Sequence, residues 1–127
     1  MSEFASRIDA FLAEFFALHP LTATTAGMHD HDAEWPDVTE AGRARLLEFY
    51  DRWSTELAGL SDAGLTIDEQ IDRDHLVGEL AEYRFGETEL REETWNPIAW
   101  VYMLGDGLFT LIAREFAPLA EISRSSA

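Results

Sequence analysis

The chain has 127 residues, 46% of them hydrophobic and 12% aromatic, enough apolar surface for one folded domain with a modest core, so disorder is excluded. Asp and Glu number 25 against 9 Arg and no Lys, for a formal net charge of -16. A field of that sign repels phosphate backbones and anionic lipid, which excludes nucleic acid and membrane surfaces as natural partners.

Such acidity reads first as a solvated coat, next as a halophile's surface and least as a surface for a cationic ligand, and it makes the fold salt-dependent because screening relieves self-repulsion. Cysteine is absent, which removes disulfides and thiol chemistry and fits a cytoplasmic setting. No secretory leader is visible at the start, where Glu3, Asp9 and Glu14 interrupt the apolar pattern. The most apolar stretch, Ile98 to Ile112, would span only about 22 Å as a helix, too short for a bilayer.

In chain order, Phe4, Ile8, Phe11, Leu12, Phe15 and Leu18 recur at spacings of three and four, which predicts an amphipathic helix over 2–18 capped by Ser2. His19-Pro20 closes it, because a residue before proline is pushed out of the helical region. Pro20 then opens a short helical turn to about Ala26, which Gly27 ends as a left-handed residue. Residues 28–38 read as irregular. A second long helix, capped by Asp37 or Thr39 and running to about Leu60, carries Leu46, Phe49, Tyr50, Trp53, Leu57 and Leu60 on one face. Thr66 with Glu69 is a capping-box signal for a third, over about 67–90, whose seam is Ile71, Leu76, Leu80, Tyr83 and Leu90. Gly78 and Gly86 weaken that helix unless a neighbouring backbone packs close. Asn96-Pro97 starts a fourth, apolar nearly all round, and such a helix needs cover on every side. After Pro118, Leu119 to Ser123 reads as the start of a fifth, so the sequence resembles the front of a longer helical protein. The fold class expected is all-α: four long helices in antiparallel hairpins within one segment, 1–127.

Three constellations bear on chemistry. His29-Asp30-His31-Asp32, with Asp37 nearby, offers metal-ligand types, but a structural zinc site wants four ligands from separated points. The same residues suit local turn and cap hydrogen bonds, or a polar strip along a cleft completed elsewhere. His75 and Glu79 share a helix face but lack the second histidine of a His-Glu-x-x-His helix, so a solvated pair is expected. Gly105-Asp106-Gly107 interrupts the apolar helix with a carboxylate that needs a partner, with Arg84, Arg91 and Arg114 as candidates, or a ligand-facing role. No nucleophile elbow or phosphate loop is present, and no complete catalytic or metal set can be assigned.

The order His19-Pro20, Ala23-Thr24, Gly27, His29-Asp30-His31-Asp32, Trp35-Pro36-Asp37 carries a resemblance. So do Asp72-x-Asp74, Trp95-Asn96-Pro97, Leu104-Gly105-Asp106-Gly107-Leu108-Phe109 and Arg114-Glu115-Phe116-Ala117-Pro118. Together they resemble the N-terminal region of the bacterial "domain of unknown function 885" family, over nearly the whole chain. The resemblance implies mostly helical, zinc-peptidase-like proteins several times longer than this chain, with a His-Glu-x-x-His helix well downstream. This chain lacks that motif. It is therefore expected to be a non-catalytic front segment, with no cofactor of its own and zinc only in a full-length protein. His29, Asp30, His31, Asp32 and Asp106 are the substrate-cleft candidates, and peptide is the substrate of a full-length protein only. The expected partner is the remainder of the family domain or a homo-oligomer mate. The alternative is a free-standing helical module that dimerises or docks through exposed apolar helix faces.

Overall fold

In the computed structural model, which describes residues 2–113, the side chains of Ser2, Thr39, Thr66 and Asn96 each accept from a first-turn backbone amide of the helix they open. Ser2 Oγ accepts from the Ala5 amide at 3.0 Å and opens α1 (Glu3–Leu18). Pro20 opens α2 (Pro20–Thr25), ended by Gly27 at φ 84°. Thr39, not Asp37, caps α3 (Glu40–Ala58) by accepting from the Gly42 amide at 3.1 Å. Thr66 and Glu69 form the capping box of α4 (Ile67–Phe85). The Ser2 hydroxyl and then the Thr66 amide, both bonded to Glu69, hold its carboxyl below the usual range. Asn96 Oδ1 accepts from the Ile98 amide at 3.1 Å and opens α5 (Pro97–Ala113). The fold is all-α, and among the described residues four of the five α-helices are long. No described helix is long and apolar enough to cross a membrane. The Arg114–Pro118 motif and the start of a fifth helix expected over Leu119 to Ser123 lie outside the described residues.

The chain divides into two compact units, one built from the chain through Phe11 with Val38–Arg91, the other from Leu12–Asp37 with the chain from Glu92 onward. In the first, α3 and α4 form an antiparallel hairpin. Tyr50 stacks on Tyr83 with centroids 5.7 Å apart, Arg84 Nε donates to Asp51 at 2.7 Å, and Arg43 reaches the Glu87 carbonyl at 3.1 Å. Phe11 from the start of α1 packs on Phe49 (5.5 Å) and edge-on to Trp53 (5.4 Å), closing a core with Phe4, Leu57 and Leu80.

The buried stripe of α4 is rotated from the expected one. Ile71 is 61% exposed, and Tyr83 and Leu90 are partly exposed, whereas Arg73 is buried in line with Leu76, Val77 and Leu80. The guanidinium explains the shift. It donates to the Leu60 carbonyl at 3.0 Å, to Asp62 at 2.6 Å and to Asp74 at 2.8 Å, tying α4 to the turn that follows α3. Apolar spacing cannot point to an arginine.

α4 also stops short of Leu90. Its last turn widens into a π-turn over Gly86–Leu90, closed by the Arg91 amide on the Gly86 carbonyl at 2.9 Å. Neither Gly78 nor Gly86 has a neighbour within 4 Å of where a Cβ would sit, so close packing does not account for either. Arg91 itself takes the left-handed conformation, φ 43°, which costs an L-residue about 1 kcal/mol or more. Both truncations of this side chain lose its pairing with Glu40, but only glycine relieves the backbone. Arg91→Gly should therefore be more stable than Arg91→Ala by about 1 kcal/mol in urea unfolding; equal midpoints would contradict a strained Arg91.

Candidate functional site

The second unit takes up the chain at Leu12 and contains the junction where α1 yields to α2. His19 stacks on Phe15, centroids 4.2 Å apart, and its Nδ1 lies 2.8 Å from the Phe15 carbonyl. Burial lowers the imidazole below the ordinary histidine range, and the Phe15 carbonyl, which favours the protonated ring, offsets this only in part.

Beyond it, buried Thr24 anchors the loop. Its hydroxyl lies 2.7 Å from Asp32 Oδ1 and 3.2 Å from the Pro20 carbonyl. The other carboxylate oxygen, Oδ2, is 3.0 Å from His29 Nδ1, a contact that puts the proton on that nitrogen. His29–His31 is a single 3-10 turn rather than irregular chain, and His31 Nδ1 lies 3.1 Å from Glu34 instead. The two histidines thus engage different carboxylates, each three residues along, in the local pattern that turn chemistry favours. No group of three His, Asp or Glu residues in metal-binding reach occurs among the described residues. His75 and Glu79 lie 4.0 Å apart on an exposed face of α4, as a solvated pair.

The loop continues to Trp35, which with Leu21 sits against Gly107 of α5. A Cβ on Gly107 would meet the Leu21 methyl and the Trp35 ring at 3.1 Å, so glycine is what permits this approach. The same region forms a small concavity of about 20 Å³, lined by Leu21, Thr24, Thr25, Asp32, Glu34, Trp35, Asp106, Gly107 and Thr110. Asp106 does not interrupt α5, which runs through the Gly-Asp-Gly triplet unbroken. It is exposed at the concavity wall, while Arg84 and Arg91 pair with Asp51 and Glu40; Arg114 lies outside the described residues.

Of the five cleft candidates, Asp32 and Asp106 meet in one wall and His29 supports Asp32. Asp30 and His31 are not among the lining residues. Sequence reading did not assign Thr24, Thr25, Glu34 and Thr110 to the cleft; Thr24 stood within the motif run and the other three only close to motif residues. Three carboxylates, three hydroxyls and an indole make a surface suited to a cationic or donor-rich group. They supply neither a nucleophile with its base nor a metal set.

No family model and no curated protein matches the chain. A solved structure from Shewanella oneidensis, that of "a putative lipoprotein of unknown function", is similar, with a TM-score of 0.87 and 28% identity over 99% of this chain. The match covers 23% of that protein's chain, so this chain spans under a quarter of its length.

A histidine held neutral in the fold stays uncharged where the unfolded chain takes up a proton, so stability is complete above the unfolded value near 6.5 and declines as pH falls below it. His19→Asn keeps an N–H for the Phe15 carbonyl but cannot titrate. Between pH 7.5 and pH 5 the wild type should lose stability relative to His19→Asn in urea melts, carboxylate effects being common to both. Parallel curves would refute the assignment.

Proposed function

We propose that this chain is a non-catalytic helical segment of a larger peptidase-like hydrolase, helping to build its fold and to wall its cleft. The observation that carries the reading is the similarity to a protein more than four times as long, in which a fold of this kind takes up 23% of the chain. The motif resemblance to the N-terminal region of the "domain of unknown function 885" family supplies the peptidase-like character and the peptide substrate class. The meeting of Asp32 and Asp106, far apart in sequence, at one concavity supports a cleft-facing role for this side of the second unit.

In this reading zinc belongs to a His-Glu-x-x-His helix elsewhere in the larger protein, where it would polarise the scissile carbonyl and activate water. The segment's own contribution is a carboxylate-lined wall beside Trp35 that orients a basic or amine-bearing part of a peptide.

Two measurements test this. Sequencing the coding DNA past Ala127 should reveal an in-frame His-Glu-x-x-His, and a stop codon there would sink the proposal. In the full-length protein, Asp106→Asn should raise KM for a basic peptide about fivefold, with kcat and bound zinc unchanged. An unaltered KM would remove Asp106 from the cleft wall.

A further inference from the structure

We draw no further inference here: the strongest candidate, the exposed apolar stripe of α5 formed by Ile98, Val101, Tyr102, Leu108, Phe109 and Ile112, carries nothing because nothing in the structure shows what covers it.

Discussion

The second unit depends on the carboxylate of Asp32. Thr24 is almost fully buried, and a hydroxyl without access to water must find an acceptor or cost about 1–3 kcal/mol. The Pro20 carbonyl lies 3.2 Å away within the helix, and Asp32 Oδ1, eight residues on, makes the shorter contact at 2.7 Å where the chain turns back after Gly27. His29 holds the second oxygen, fixing the carboxylate from both sides. With the loop pinned there, Trp35 reaches Gly107, and the concavity exists because that contact exists. The aspartate is first a structural acceptor, and only through that role does it wall the concavity.

Helix existence and most starts were legible in the sequence, because they rest on local physics. Ser2, Thr39, Thr66 and Asn96 each satisfy an orphan amide of the first turn, and Pro20 and Gly27 act through their own backbone preferences. Interior details followed tertiary context instead. Arg73 is buried because three acceptors surround it at the hairpin turn, and those belong to Leu60, Asp62 and its neighbour Asp74. Hydrophobic periodicity, which sorts residues by type, assigned its stripe to Ile71. The π-turn before Arg91 likewise carries no compositional mark.

The candidate site was legible in its residues but not in its assembly. Asp32 and Asp106 stood out for different reasons, one in a run of His and Asp, the other as a lone charge on an apolar helix. Nothing in their spacing joined them. The join comes from Gly107, whose missing side chain lets Leu21 and Trp35 close on α5 and bring the loop carboxylates to the same wall. The histidines drew attention as ligands, yet each sits three residues before a carboxylate, and that short separation favours a local pair over a shared ion.

The Gly-Asp-Gly triplet shows how one helix serves two surfaces. Residues two apart on a helix point about 200° away from each other, so Gly105 and Gly107 face opposite sides of α5. Gly107 takes Leu21 and Trp35, and Gly105 opens onto the bare apolar stripe. Asp106, between them, lies at the edge where the two faces meet and is the only ionisable carboxylate along α5. Glycine at both positions costs helix stability, about 1 kcal/mol each against alanine. The cost is offset at Gly107 by a contact that a methyl group would obstruct. At Gly105 a Cβ would meet nothing within 4 Å among the described residues, so close packing there does not account for the glycine.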